Sequence, residues 1–157
     1  MPLHFGAGAR VLIIEAPYYR EITDELMVGA KAVLDAAQVG FDRMAVPGAL
    51  EIPQALAQGQ AAGLFGPGGK YAGVLVHGCV IRGETSHYDI VCTSTNHWLM
   101  KTAIEHNIPL GNAVLTVDTE AQALARARGG ADGKGGDAAR ACLRLVRIAH
   151  DLGLARP

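Results

Sequence analysis

The chain has 157 residues and a formal net charge of −1, so it lacks the positive charge by which proteins bind nucleic acid or anionic membranes. Half of its residues are hydrophobic, but polar positions interrupt every apolar run before the roughly 18 residues that a membrane span needs. The length suits one domain over residues 1–157, with residues 1–9 as a flexible or subunit-contacting N-terminal arm.

The N-terminus and the cysteines favour a cytoplasmic protein. The first residues have neither the basic start nor the apolar segment of a secretory signal. Cys79, Cys92 and Cys142 are odd in number and widely spaced, which argues against a disulfide framework and a zinc site, so we interpret them as buried thiols. The histidines form no compact ligand pair, and we expect no metal. The partners should be small molecules or copies of the chain itself.

Strand-like and helical segments alternate four times, which is typical of a parallel sheet with right-handed crossovers. The first strand is predicted over Arg10–Glu15 and a second, weaker strand over Phe41–Val46. Between them, a helix presents one apolar face formed by Ile22, Leu26, Ala30, Val33, Leu34 and Ala37. After the turn at 47–51, Pro53 suits the first turn of a second helix that runs towards Leu64.

The third strand and the third helix flank a turn with a distinctive sequence. The strand is predicted over Tyr71–Cys79. The helix is predicted from Ser86 to about His106, because Ser86 and Asp89 have the spacing of a capping box. The apolar residues expected to pack this helix on the core are Ile90, Val91, Trp98, Leu99 and Ala103.

The last strand is predicted over Ala113–Val117, after Pro109 has stopped the third helix. Thr119 and Gln122 have capping-box spacing for a short helix that ends near Arg126. The final helix is expected to pack through Ala138, Cys142, Leu145, Ala149 and Leu152. Its opposite face carries a solvated or subunit-facing stripe of Arg140, Arg144 and Arg147.

Three common catalytic motifs are absent. The glycine-rich segment 129–136 follows a helix rather than a strand and has Gly135 where a phosphate loop needs Ser or Thr. The segment 66–69 follows no strand, so it is no dinucleotide fingerprint, and no Gly-x-Ser-x-Gly elbow is present. His77, inside the third strand, is interpreted as a packed, hydrogen-bonded core residue.

The turn from Gly78 to Asp89 leads from a strand into a helix, the place where ligands gather in a parallel sheet. Gly83 allows close approach of the backbone, and the helix start offers unpaired N–H groups to an anion. His87 lies in the first helical turn, where an imidazole could transfer protons near neutral pH. The alternative, a solvent-facing histidine in an ordinary loop, stays open on the turn alone.

Residues at other strand ends extend this candidate site. Tyr18 could stack on a flat heterocycle, Glu51 could accept hydrogen bonds, and the backbone from Cys79 to Ile81 could read a polar ring edge. Asn112 heads the fourth strand, and we expect parallel pairing to bring these ends together. The alternatives are that Tyr18 covers the core, that Glu51 stabilises a helix start and that Arg126 is a solvated charge.

Four segments resemble the 6,7-dimethyl-8-ribityllumazine synthase family of riboflavin biosynthesis. They are 46–53 (VPGALEIP), 78–89 (GCVIRGETSHYD), 114–116 (VLT), and Arg126 followed by 134–139 (KGGDAA). The similarity extends from Val11 to the final helix. Motifs of this length in this order are highly specific.

The resemblance implies a flavodoxin-like three-layer sandwich, in which helices flank a four-stranded parallel sheet, and assembly at least as a homopentamer. Family members condense 5-amino-6-(D-ribitylamino)uracil with 3,4-dihydroxy-2-butanone 4-phosphate, which gives 6,7-dimethyl-8-ribityllumazine, phosphate and water. No cofactor is implied. The alternative is a non-catalytic paralogue that binds lumazine or riboflavin, or only forms a shell; it would need neither His87 nor Arg126.

The resemblance also implies roles for individual residues. Pyrimidine and ribityl contacts fall on Tyr18, Ala49, Leu50, Glu51, Cys79, Val80, Ile81 and Asn112. Of these, Asn112 matches a contact to the site of a neighbouring subunit. Phosphate contacts fall on Glu84, Thr85, Arg126 and Lys134. His87 matches the proton-transfer histidine.

The chain departs from the family pattern at a few positions. Tyr18 stands where Phe or Trp is frequent, Leu50 where a larger aromatic is common, and Asn112 where Phe also occurs. We therefore expect a different pocket polarity and the same reaction. The segment 129–136 lies where the family sets the association of pentamers, so pentamer, decamer and sixty-subunit capsid all stay open.

Overall fold

Four parallel strands form one sheet in a computed structural model that describes residue 5 and residues 8–154. The strands are β1 (Arg10–Glu15), β2 (Gly40–Ala45), β3 (Gly73–Ile81) and β4 (Leu110–Val117). The helices are α1 (Arg20–Ala36), α2 (Glu51–Ala61), α3 (His87–His106), α4 (Glu120–Ala127) and α5 (Lys134–Asp151). The sheet order is β2-β1-β3-β4, so β1 and β3 are the central strands.

Helices cover both faces of the sheet, which confirms the predicted flavodoxin-like three-layer sandwich. On one face, Leu56 of α2 and Leu99 of α3 pack on Ile14 and Val76. On the other face, α1 and α5 pack on the amino-terminal half of the sheet. α4 packs beside α1 on the carboxyl-terminal half of the sheet. The central strands are apolar on both faces for this reason. Within the described ranges, no helix is long and apolar enough to cross a membrane.

The predicted elements are all present, with shifted ends. β3 begins two residues later than predicted and runs on to Ile81, and β4 begins at Leu110. α2 ends at Ala61 rather than near Leu64. The predicted N-terminal arm lies largely outside the described residues; of it, Phe5 packs on the core and the Ala9 carbonyl accepts a hydrogen bond from the chain at the start of β2.

Two residues predicted to pack α3 on the core lie instead at the surface. Ile90 is 58 % exposed and Trp98 is 51 % exposed. The buried residues of this helix follow one another at intervals of four: Val91, Thr95, Leu99 and Ala103. Because each residue of a helix turns by about 100°, Ile90 and Trp98 lie a third of a turn away from that stripe.

The prediction for α5 was also wrong at two leucines. Leu145 and Leu152 are exposed, and the buried face consists of Gly135, Gly136, Ala138, Ala139, Cys142, Leu143, Val146 and Ala149. The face begins with two glycines because the start of α5 packs close to the backbone of α1, where a Cβ at Gly135 would lie 2.0 Å from the Leu26 carbonyl oxygen. The two leucines line an apolar groove of about 320 Å³ between α3 and α5.

The helix cap predicted at the start of α4 is present. The Thr119 hydroxyl accepts a hydrogen bond from the Gln122 N–H at 3.2 Å and caps α4, as predicted.

His77 is fully buried, as predicted, but within the described part of the chain neither of its ring nitrogens has a hydrogen-bond partner. Burial, and to a smaller extent the Arg43 charge, lowers the pKa of His77 to about 4, so the imidazole is neutral near pH 7.

Candidate active site

The backbone of β3 extends beyond its neighbour β1 at the carboxyl edge of the sheet. The last hydrogen bond between the two strands runs from the Ala16 N–H to the His77 carbonyl at 2.9 Å. On its other side β3 stays paired, since the Arg82 N–H donates to the Val117 carbonyl at 2.9 Å. Alternate residues direct their backbone groups to the same side of a strand. The backbone groups of Cys79 and Ile81 therefore face the side that β1 has left.

The side chains at the end of β3 pack against the core and do not face the side where β1 no longer pairs with β3. Cys79 is buried among apolar residues of α1 and α4, and burial raises the pKa of its thiol to about 11. The thiol is therefore protonated and unreactive near neutral pH. Val80 and Ile81 are half-buried. This segment offers a ligand its backbone, and Cys79 is unsuited to act as a nucleophile.

An exposed aromatic ring follows β1. Tyr18 is 76 % exposed, which excludes the alternative in which it covers the core. Tyr19 has that role, because it packs against the cluster that contains Ile81 and Leu124. The two tyrosine rings meet edge to face, with their centroids 4.9 Å apart. Tyr19 thus supports Tyr18 and leaves its ring accessible for stacking.

The turn after β2 places a carboxylate at the start of α2. Glu51 is the first residue of that helix, and its N–H donates to the Gly48 carbonyl at 3.1 Å. The position of the carboxylate agrees with stabilisation by the helix dipole as well as with ligand binding. Ala49 is half-buried against the core, while Leu50 is exposed and lines a groove of about 390 Å³ with Trp98 of α3.

The turn between β3 and α3 is exposed from Arg82 to His87. The helix begins at the predicted place, but the predicted capping box is not formed, since the Ser86 side chain makes no capping hydrogen bond. The Thr85 hydroxyl accepts a hydrogen bond from the His87 N–H at 3.3 Å instead. Asp89, the expected second member of the box, pairs with Arg82. His87 lies at the first residue of the helix and is exposed.

Two cationic residues predicted to bind phosphate lie on other elements. Arg126, in the last turn of α4, is exposed and donates to the Gln122 carbonyl of its own helix at 3.1 Å. Lys134 begins α5, with its Nζ 3.9 Å from a carboxylate oxygen of Asp137. Among the described residues, neither cation forms a hydrogen bond or ion pair with the turn that carries Glu84 and Thr85.

The expectation that all four strand positions meet was wrong for Asn112. It is the third residue of β4 and pairs with Val76, five residues before the pair of Ile81 and Val117 at the carboxyl edge. In a parallel sheet, the head of one strand lies at the opposite edge from the ends of the others. Its exposed amide donates to the Asn96 side chain of α3 at 2.9 Å.

Arg82 lies within the 78–89 motif, but the sequence alone predicted no role for it. Its guanidinium Nε donates to Asp118 Oδ1 at 2.9 Å, across the ends of β3 and β4. The parallel register places position 82 beside the residue after Val117, so Asp118 was the available signal. Within the described ranges, no group of three or more His, Cys, Asp or Glu side chains could hold a metal ion.

The fold defines an α/β protein of the open parallel-sheet class, and this class binds small molecules beyond the carboxyl ends of its strands, where the candidate site lies. The sequence model of the 6,7-dimethyl-8-ribityllumazine synthase family matches residues 8–150. The chain belongs to this family, as its sequence motifs indicated.

Relatives named 6,7-dimethyl-8-ribityllumazine synthase are similar over most of their length. The protein from Methylobacterium radiotolerans is 48% identical over 151 residues, which cover 96% of this chain and 88% of the relative. The protein from Azorhizobium caulinodans is 51% identical over 141 residues, or 90% and 86% of the two chains. The protein from Nitrobacter hamburgensis is 48% identical over 146 residues, or 93% and 89%.

Proposed function

We propose that this chain is a transferase of riboflavin biosynthesis that condenses 5-amino-6-(D-ribitylamino)uracil with 3,4-dihydroxy-2-butanone 4-phosphate. The products are 6,7-dimethyl-8-ribityllumazine, phosphate and water. One observation carries the proposal beyond family membership: the free backbone side of Cys79–Ile81 lies directly before the turn that leads to His87. A polar ring edge and an anion can therefore bind to consecutive parts of one segment.

The pyrimidine and its ribityl chain bind to the strand ends. The ring stacks on Tyr18, and its polar edge takes hydrogen bonds from the free backbone groups of the segment Cys79–Val80–Ile81. Glu51 accepts hydrogen bonds from ring or chain donors, and Ala49 and Leu50 form the apolar wall beside it. Half-buried apolar groups with a few polar atoms are typical of small-molecule pockets.

The phosphate of the butanone substrate binds at the start of α3. The backbone at Glu84 and Thr85 and the helix N-terminus supply N–H groups and a partial positive charge. Arg126 and Lys134 complete the anion site. Since neither pairs with this turn within its own chain, we propose that a neighbouring subunit supplies them, as it supplies Asn112.

Positioning accounts for most of the rate acceleration. The proposed steps are imine formation between the uracil amine and the butanone carbonyl, loss of phosphate, tautomerisation, ring closure and dehydration. Each step moves protons, and none changes the overall oxidation state. Holding the two reactants together in one pocket can lower the activation free energy by several kcal/mol. His87 transfers protons beside the phosphate, and this increases the rate by about a further 10²-fold.

Formation of the lumazine chromophore from the two purified substrates tests the function directly. We expect turnover of both substrates in equal amounts, with release of one phosphate per lumazine. A protein that binds lumazine or riboflavin and forms no chromophore would instead be the non-catalytic carrier or shell.

We also propose a cytoplasmic homo-oligomer of single-domain subunits with the pentamer as its minimal unit. Four apolar residues of α3 are each at least 50 % exposed: Ile90, Trp98, Met100 and Ile104. Two apolar grooves flank the same helix. Clusters of exposed apolar residues are typical of surfaces that bind another protein. A closed ring of identical subunits would bury it and bring Asn112 to a neighbouring site.

A lone subunit should be inactive, because residues of its site come from a neighbour. Light scattering on dilute protein, with turnover measured in the same samples, gives the mass and the activity together. We expect activity to fall as the assembly dissociates. A monomer with full turnover would contradict both the shared site and the pentamer.

Arg126→Ala should raise the KM for the butanone phosphate by about tenfold and leave the KM for the uracil substrate nearly unchanged. Arg126 is exposed, so the loss of its charge-assisted contact should cost about 1–2 kcal/mol, the lower part of the range for such bonds. Steady-state kinetics with each substrate varied in turn gives both constants. Arg128→Ala is the matched control, since it removes an exposed arginine that pairs with Glu21. Equal effects of both variants would refute the assignment.

A further inference from the structure

Arg82 joins three elements around the exposed turn that leads to His87. Its backbone N–H donates to the Val117 carbonyl, and its guanidinium Nε donates to Asp118 Oδ1 at 2.9 Å. Nη1 lies 3.7 Å from Asp89 Oδ1 in the first turn of α3. One side chain therefore spans the end of β3, the end of β4 and the start of α3.

The Arg82 guanidinium lies over the aromatic ring of Tyr88. The central carbon of the Arg82 guanidinium lies 4.3 Å from the centroid of the Tyr88 ring, which is the geometry of a cation–π contact. The Tyr88 hydroxyl in turn interacts with Thr116 of β4 and Cys92 of α3. A lysine ammonium could also lie over this ring, but it lacks the planar fork of donors with which Arg82 reaches two aspartates.

The exposure of these groups argues against a main role in stability. The side chains of Arg82, Asp89 and Asp118 are 48%, 64% and 63% exposed. Exposed ion pairs contribute little to the free energy of folding. The ion pairs of Arg82 matter more for the geometry of the turn 83–86. Among the described residues this turn forms no ion pair of its own, and the contacts of Arg82 hold both of its ends.

We propose that Arg82 is a positioning residue for the reaction. It holds the turn 83–86 against β4 and α3, so that the backbone N–H groups and His87 keep the spacing that phosphate binding and proton transfer require. Arg82 itself touches neither substrate. The inference rests on the proposed function for its kinetic part and on the proposed anion site at the start of α3 for its effect on phosphate affinity.

Four variants test the proposal. Arg82→Met keeps an unbranched apolar stem and removes the charge, and Arg82→Lys keeps the charge without the planar guanidinium. Asp118→Ala removes the partner at β4 and serves if the Arg82 variants fold poorly. Arg147→Met is the matched control, since Arg147 also pairs with an aspartate at 3.0 Å, on α5. The measurements are assembly, Tm, kcat, both KM values and the Kd of inorganic phosphate.

We expect Arg82→Met to assemble normally and to lose little in Tm, whereas kcat falls roughly tenfold and phosphate binds several-fold more weakly. Arg82→Lys should recover only part of the loss. Asp118→Ala should show a smaller loss than Arg82→Met, because Arg82 then keeps Asp89 and the Tyr88 ring. A combination of Arg82→Met with Asp118→Ala should be no worse than Arg82→Met alone, because that substitution already removes the contact with Asp118. Arg147→Met should match the wild type.

Two results would overturn the proposal. One is wild-type kcat and phosphate affinity in Arg82→Met. The other is a loss of activity that follows the loss of Tm in every variant, which would make Arg82 merely structural. Phosphate affinity does not depend on turnover, so a wild-type protein that forms no lumazine would refute the proposed function and still leave the positioning role tested.

Discussion

Gly135→Ala should destabilise the protein by about 3 kcal/mol or more, although it adds only one methyl group. A Cβ at position 135 would lie 2.0 Å from the carbonyl oxygen of Leu26. Helix propensity alone favours alanine over glycine by about 1 kcal/mol. The overlap with α1 outweighs this gain, since a backbone atom cannot move aside as the end of a side chain can.

Neighbouring glycines show why α1 cannot simply shift. A Cβ at Gly29 of α1 would lie 2.5 Å from the Gly130 carbonyl oxygen, and one at Gly136 would lie 2.0 Å from that of Ala131. Gly135 thus brings α5 against α1, Gly29 brings α1 against the segment 130–132, and Gly136 brings α5 against that same segment, so three close backbone approaches hold these parts together. The same packing positions Lys134, so the substitution should also disturb the phosphate site.

Urea unfolding at matched protein concentration measures the effect on stability. Gly83→Ala is the control, because a Cβ there would meet no atom within 4 Å and its φ lies outside the positive range. We expect an unchanged midpoint for Gly83→Ala and a much lower one for Gly135→Ala. Equal midpoints would contradict the close approach of α5 to α1.

His87→Ala should lower kcat by roughly 10- to 100-fold and leave the assembly and stability intact. The side chain is exposed at the first residue of α3, so its removal creates no cavity. Because positioning supplies most of the catalysis, the loss should be partial. A nucleophile would be lost almost completely.

Steady-state kinetics at saturating substrate separates this effect from a loss of binding. The variant should retain its affinity for inorganic phosphate and for a pyrimidine analogue. His150→Ala, at an exposed position on α5, is the matched control. Wild-type turnover of His87→Ala across neutral pH would mean that water or the substrate phosphate carries the protons.

The sequence predicted the order of elements because their signals are local. Arg10–Glu15 was correct at both ends, and α3 begins at its predicted place because a turn with Gly83 separates two periodic segments. The Thr119 cap was also predictable, since its donor lies three residues away. The capping box at Ser86 is not formed: the Ser86 side chain makes no capping hydrogen bond, and the Asp89 carboxylate pairs with Arg82, which lies outside the helix.

Chain order and residue chemistry determined the parallel three-layer fold and the location of the candidate site in the turn before His87. Only the tertiary structure decided that Asn112 lies away from the other strand positions, that Tyr19 covers the core in place of Tyr18, and that Arg82 joins three elements. The physical reason is that these facts depend on register and packing between segments distant in sequence. β3 runs on beyond β1, and this difference in length leaves the backbone from Cys79 to Ile81 available on one side.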